Sequence, residues 1–245
     1  MNKLRLVLFM MCIGLLWSCG SDNEGSNASD SGKGGSMARF TVKGDYLYIV
    51  DSDHLMTFDI SDSSKIVLKS SVDAGWNIET IFPSDSLLFL GSTDGLHIFN
   101  LKHPSKPAYV SCYTHVTSCD PVVVDGHYAY VTLRSDNYSC WRSVNQLQVI
   151  DISQITKPEQ VGSYEMVSPK GLAVSGNLLF VCDGLDLVVM DASDPLQLKE
   201  KKRIQMDGTP YDVIANNGVL TISYSDGISQ YACEGDSVRW ISQVY

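Results

Sequence analysis

The 245-residue chain has no Gly-rich phosphate-binding loop, no His-Glu-x-x-His helix and no Gly-x-Ser-x-Gly elbow. No motif therefore announces nucleotide hydrolysis, zinc proteolysis or a serine nucleophile. Basic residues are scarce, with 18 Lys and Arg against 28 Asp and Glu. That balance disfavours nucleic acid, which needs concentrated positive charge. The seven cysteines show no zinc-ligand spacing, and no loop alternates acidic residues as a dedicated calcium site does. The histidines, His54, His97, His103, His115 and His127, are scattered. Helical periodicity is missing too; the apolar residues fall in short runs punctuated by turn residues.

The one long apolar run is at the start. Lys3 and Arg5 precede an apolar stretch from Leu6 to Trp17, too short for a comfortable membrane span, and Leu16-Trp-Ser-Cys19 follows it. This resembles the signal and lipobox of bacterial lipoproteins, which implies cleavage after residue 18 and lipidation of Cys19. Residues 19–36 are rich in Gly, Ser, Asn and Asp and are expected to form a flexible tether. The acidic Ser21-Asp-Asn-Glu24 resembles the export signal of surface-exposed outer-membrane lipoproteins. The resemblance implies an outer-membrane, lipid-anchored, cell-surface location, with the membrane touched through the lipid alone. Loss of Lys3 and Arg5 leaves 16 basic against 28 acidic residues, a formal −12. Such a charge suits a solvated domain above a membrane.

Residues 37–245 carry an internal repeat. Leu55-Met-Thr-Phe-Asp-Ile-Ser61 returns as Leu96-His-Ile-Phe-Asn-Leu-Lys102, Leu147-Gln-Val-Ile-Asp-Ile-Ser153, Leu187-Val-Val-Met-Asp-Ala-Ser193 and a degenerate Ile228-Ser-Gln-Tyr-Ala-Cys233. Aligned at Asp59, Asn100, Asp151, Asp191 and Tyr231, the steps are 41, 51, 40 and 40 residues. Turn residues Gly44, Asp85, Gly126, Gly176 and Gly218 precede the second strand of each unit. Four short strands per unit, each unit hiding its faces only against neighbours, predict an all-β β-propeller of five blades of four antiparallel strands. The blades fall at about 37–77, 78–118, 119–168, 169–209 and 210–245.

The strand-three segments, together with Gly35-Ser-Met-Ala-Arg-Phe40, Ile78-Glu-Thr-Ile-Phe-Pro83, Ser118-Cys-Asp-Pro-Val-Val-Val124 and Ala129-Tyr-Val-Thr-Leu-Arg134, resemble the LVIVD-repeat propeller lipoproteins. The resemblance covers essentially everything after Gly34 and implies a propeller fold and export. It attaches no general reaction to the chain, and a fold alone licenses none.

With the first strand starting at the top of the channel, the inter-blade connections and the loops between strands two and three share one face. Counting back from the turn residues puts Ala38, Glu79, Asp120, Lys170 and Asp212 in one column at the channel mouth, with Arg39 one position later. Glu79, Asp120 and Asp212 could hold a cation such as Ca2+ or contact a sugar or peptide, while Arg39 and Lys170 could pair an anionic group. These charges could equally satisfy one another and the exposed amides of the inner strands.

Blade three breaks the period through Arg134 to Gln146, a loop that carries Tyr138, Trp141 and Arg142 toward the same face. Cys119 and Cys140 fall on that face of one blade, so a disulfide between them is geometrically reasonable and permitted outside the cytoplasm. Cys182, inside a strand, reads as a small core residue. The favoured expectation is a binding or scaffold module for a glycan, peptide or protein, with no metal or cofactor required. The alternative is a glycoside-hydrolase-like enzyme drawing an acid and a base from the channel-mouth carboxylates, against which Lys170 and Arg39 would hold carboxylate pKa values low.

Overall fold

The computed structural model describes residues 34–114, 121–135, 144–235 and 237–244. Tight turns and alternating apolar residues give five sheets of four antiparallel strands, each drawn from one contiguous stretch of chain. Blade one is β1 to β4, Phe40–Lys43, Tyr46–Val50, His54–Asp59 and Val67–Asp73. Blade two is β5 to β8, Ile78–Ser84, Leu87–Ser92, Gly95–Asn100 and Ala108–Thr114. Blade three is β9 to β12, Val122–Asp125, Tyr128–Leu133, Gln146–Asp151 and Glu159–Glu165. Blade four is β13 to β16, Pro169–Ser175, Leu178–Asp183, Asp186–Asp191 and Lys199–Gln205. Blade five is β17 to β20, Asp212–Asn216, Val219–Ser223, Ile228–Glu234 and Ser237–Val244. The first strands of consecutive blades touch one another along the axis. In every blade the third and fourth strands slip by one residue, as at Thr57/Phe58 and Val189/Met190. A bulge at this place bends and twists the outer strand.

The recurring Asp at the end of strand three has a local purpose. Asp59 Oδ1 accepts the Ser61 amide at 3.0 Å and its hydroxyl at 2.6 Å; Asp151 and Asp191 accept the Ser153 and Ser193 amides at 2.8 and 3.0 Å. This closes the turn out of the strand by side-chain mimicry of a backbone turn. The Ser61 hydroxyl and amide, helped by Lys69, hold the Asp59 carboxyl down to about 2.

Two of the repeat columns differ by one residue from the sequence alignment. Blade five turns at Asn217-Gly218, both with positive φ (49° and 73°), so Asn217 is the counterpart of Gly44, Asp85, Gly126 and Gly176. Val219 pairs Ala232 as Leu178 pairs Asp191, so Ala232 replaces Tyr231 at the end of strand three. The cause is the turn itself. With both central residues at positive φ, glycine takes the second place rather than the first.

Four apolar cores join consecutive blades. The junction of blades four and five holds Phe180, Leu187, Val189, Leu220 and Ile222, all at most 2% exposed. Cys182 lies in it as the small core residue expected, and burial pushes its thiol pKa up. Fully burying such side chains stabilises by about 1.5–3 kcal/mol each. Among the described residues no fifth core joins blade five to blade one. Their link is a turn at the axis, where the Ala38 amide donates to the Gly35 carbonyl at 3.1 Å and Ser36 is buried. The packed domain therefore includes Gly35 and Ser36, two residues that the sequence had left to the tether. In urea unfolding, Phe180→Ala is expected to cost about 3–5 kcal/mol, and Gln230→Ala, on the open back of blade five, under about 1 kcal/mol. Equal costs would contradict this distribution of the core.

Candidate functional site

The two ends of the channel are different places. The lower cavity, of about 490 Å³, is lined by the turns between first and second strands, among them Asp85, Asp125, Gly176 and Asn217, with Gly34 and Ser36. The upper cavity, of about 310 Å³, is lined by Met37, Arg39, Ser52, Asn77, Glu79 and Lys170, together with Ile78, Thr80, Pro121 and Arg134. These residues come from the inter-blade connections, the starts of the inner strands and the loops between strands two and three. Both ends of the channel thus carry a cavity, and the face where the sequence places a candidate site has the smaller one.

The corrected register decides its charge. With Asn217 as the turn residue, Tyr211 stands in the column of Ala38, Glu79 and Lys170, and Asp212 lies one step further down the strand, level with Arg39. Asp212 does not line the upper cavity. Its carboxylate accepts the Ser36 hydroxyl at 2.9 Å, the Val213 amide at 3.0 Å and the Met37 amide at 3.3 Å. Ser36 Oγ in turn accepts the Leu172 amide at 2.8 Å. Two glycines make room for this knot. A Cβ on Gly35 or on Gly171 would fall 2.0 or 2.1 Å from the Asp212 carboxylate oxygens. Burial raises the Asp212 pKa, and the donors from Ser36, Met37 and Val213 offset part of the rise. Asp212 is thus a structural clamp joining blades one, four and five.

The mouth that remains is rich in cations. Arg39, Arg134 and Lys170 line it with Glu79, the one carboxylate among its described lining residues. Asp120, Tyr138, Trp141, Arg142, Cys119, Cys140 and His115 lie outside the described residues, as does Cys19. Lys170 is 8% exposed, and its Nζ stands 4.3 Å from the centroid of the Tyr211 ring. Its carbonyl accepts the buried Thr132 hydroxyl at 2.6 Å, which fixes the backbone from which it projects. Desolvation first, and then the charge of Arg134, pulls the Lys170 pKa down. No carboxylate of the described residues lies within ion-pair distance of Lys170. Arg39 Nη2 donates to the Ile78 carbonyl at 3.3 Å, which leaves its guanidinium further donors.

Exposed apolar side chains stand on the loops of the same face: Met37, Trp76, Val167, Leu185 and Tyr211. Trp76, 71% exposed, sits between Gly75 at φ 118° and Asn77 at φ 54°, and Gly75 lies so close to the His97 ring that a Cβ there would fall 2.7 Å from it. Sequence reasoning missed this rim because Gly75-Trp-Asn77 breaks no period. The one signal was a Trp flanked by two residues that tolerate positive φ. Glu79 and Asp212 do not converge, so the pair a glycosidase would need is not formed by described residues. Nor do any three His, Cys, Asp or Glu side chains among them gather to hold a metal ion.

The LVIVD repeat matches residues 34–74, 118–166 and 168–205, more than half of the chain. No curated protein matches the chain in sequence. Among solved structures, a protein from Lactobacillus plantarum superposes with a TM-score of 0.68 at 14% identity, over 81% of this chain and 67% of that one. The periplasmic gluconolactonase PpgL of Pseudomonas aeruginosa gives 0.64 at 15% identity, over 82% and 67%. Apo AztD of Citrobacter koseri gives 0.59 at 14%, over 83% and 62%. At these identities the likeness is one of fold, and the chain spans about two thirds of the length of these structures.

A raised Asp212 pKa makes its contribution to stability largest below the unfolded value of about 3.9 and smaller as pH rises through the folded-state value. Urea midpoints of the wild type relative to Asp212→Asn should therefore fall between acid and neutral pH. A flat difference would show an ordinary carboxyl.

Proposed function

The chain belongs to the LVIVD repeat family, and from that premise we propose that it is a lipid-anchored surface module whose top face recognises an acidic group on a glycan, peptide or protein. The observation that carries this reading is the Lys170 ammonium, withdrawn from solvent at the cavity and without a described carboxylate at ion-pair distance. A desolvated ammonium is costly unless an anion meets it. A ligand carboxylate, sulfate or phosphate would supply that anion and add charge-assisted hydrogen bonds from Lys170 and Arg39. The apolar rim of Met37, Trp76 and Tyr211 offers contact for the body of such a ligand, in the residue types that dominate recognition surfaces.

The anchor and the location rest on the N-terminal pattern ending at Cys19 and on the acidic Ser21-Asp-Asn-Glu24. The same reading needs no metal or cofactor, and the net charge of the chain turns it away from nucleic acid.

Lys170→Met is expected to weaken binding to acidic members of a glycan and peptide array at least about tenfold, the share of one desolvated charge-assisted contact. Neutral members should be unaffected. The same substitution removes a desolvated charge and should stabilise the domain at pH 7 by about 1 kcal/mol. This gain shrinks as pH rises through the lowered Lys170 pKa toward about 10.4. Unchanged binding by Lys170→Met and Arg39→Ala together would sink the assignment. Location has its own measurement: Cys19→Ala should abolish incorporation of labelled fatty acid and release the protein from the membrane fraction. Retention with no label would place the anchor elsewhere.

A further inference from the structure

The backbone around the upper mouth is engaged in holding the blades together. The Ile78 amide donates to the Ser52 carbonyl and the Ile81 amide to the Ala38 carbonyl, both at 2.8 Å, which ties blade two to blade one. The Gly171 amide donates to the Tyr211 carbonyl at 2.9 Å between blades four and five, and the Arg39 carbonyl accepts the Val50 amide at 2.9 Å. An extended peptide binds by adding its main chain to a row of open strand amides and carbonyls. Around this mouth such groups already serve the frame, so recognition falls to side chains.

One of those side chains stands on a fastened loop. Trp76 is more exposed than any other large apolar side chain among the described residues, and Asn77 and Ile78, which follow it, line the cavity. Before it, the Ala74 amide donates to the Asp53 carbonyl at 2.8 Å and the Gly75 amide to Asp73 Oδ1 at 3.0 Å, and Gly75 abuts the buried His97 ring. After it comes the bond from Ile78 to Ser52. An indole carried on such a loop has less freedom to lose when a ligand lies on it. Its electron-rich face attracts the C–H groups of a sugar ring as it attracts the edge of another aromatic ring. Ser52, Asn77 and Glu79 add a hydroxyl, an amide and a carboxylate to the cavity wall, which between them can donate to and accept from sugar hydroxyls.

Building on the reading of this cavity as an anion site, we propose that its ligand is an acidic sugar, a pyranose that carries its own anionic group within a short oligosaccharide. The anionic group meets Lys170 and Arg39, the hydroxyls meet Ser52, Asn77 and Glu79, and one face of the ring lies on Trp76. A ring with an acid on its edge satisfies these demands together, because its charge points outward along the ring plane and its C–H faces stay free to stack. The cavity volume of about 310 Å³ lies at the small end of ligand sites. That is room for about one or two sugar rings and not for a folded partner.

Isothermal titration calorimetry tests this on the chain from residue 19 onward, prepared as Cys19→Ser so that no acyl chain drives aggregation. The probes are digalacturonate, a sulfated neutral disaccharide, the same disaccharide without sulfate, and a tetra-aspartate peptide. An acidic disaccharide should bind, and which of the two binds tells whether the anionic group is a carboxylate or a sulfate. The neutral disaccharide and the peptide should bind at least about tenfold more weakly. Trp76→Ala, at an exposed position, should weaken the acidic disaccharide at least about tenfold with an unchanged urea midpoint, and Trp76→Phe should recover part of the loss. Failure of both acidic disaccharides to bind, or binding indifferent to Trp76→Ala, overturns the sugar assignment. Peptide binding that Lys170→Met weakens would then leave the anion site standing with a different ligand. Acidic-sugar binding that survives Lys170→Met and Arg39→Ala together overturns the anion site and this assignment with it.

Discussion

A four-stranded β-sheet with apolar residues on both faces cannot exist alone in water, and every other property of this chain follows from that constraint. Each blade is too small to hide its own faces, so consecutive blades pack face to face across the four described junctions. Ring architecture follows, with dry junctions holding Phe180, Leu220 and their counterparts, and so does the period of about 40 residues. The polar parts of the repeat serve the same end. The Asp at the end of strand three ties the next turn, and the bulge in each third–fourth pairing twists the outer edge.

Once the frame is fixed, chemistry is decided by offsets within it. A single residue in the blade-five turn, Asn217 before Gly218, moves Asp212 down its strand and brings Tyr211 up to the mouth. The carboxylate then spends its lone pairs on Ser36, Met37 and Val213. The described lining of the mouth then holds Arg39, Arg134 and Lys170 with Glu79.

How far the sequence was legible follows the same division. Blade count and strand order were readable, because each is reported redundantly by five copies of one pattern. The placement of Asp212 was not, because in the last repeat a glycine stood at the second turn position and the alignment had no other copy to correct it. The Asp212 knot was hidden for a different reason. It depends on Gly35 and Gly171 approaching a side chain from 41 or more residues away in sequence, and such approaches leave no local mark. Trp76 escaped notice because hydrophobic patterning does not distinguish an exposed tryptophan in a connection from a buried one. Lys170 was found, and its burial was not, since only the packing of Tyr211 and the inner strands removes it from water.

The short path from Gly34 to Met37 has a mechanical meaning. Gly34 lines the lower cavity and Met37 the upper, so within four residues the chain passes along the axis between the two ends of the channel. Tension applied from the N-terminal side of Gly34 would reach the Ser36 hydroxyl and its bonds to Asp212 and Leu172 before any blade. The load would be shared across blades one, four and five at the hub of the ring, where strands would be sheared rather than peeled. A chain held from the lower end also presents the cationic mouth away from whatever holds it.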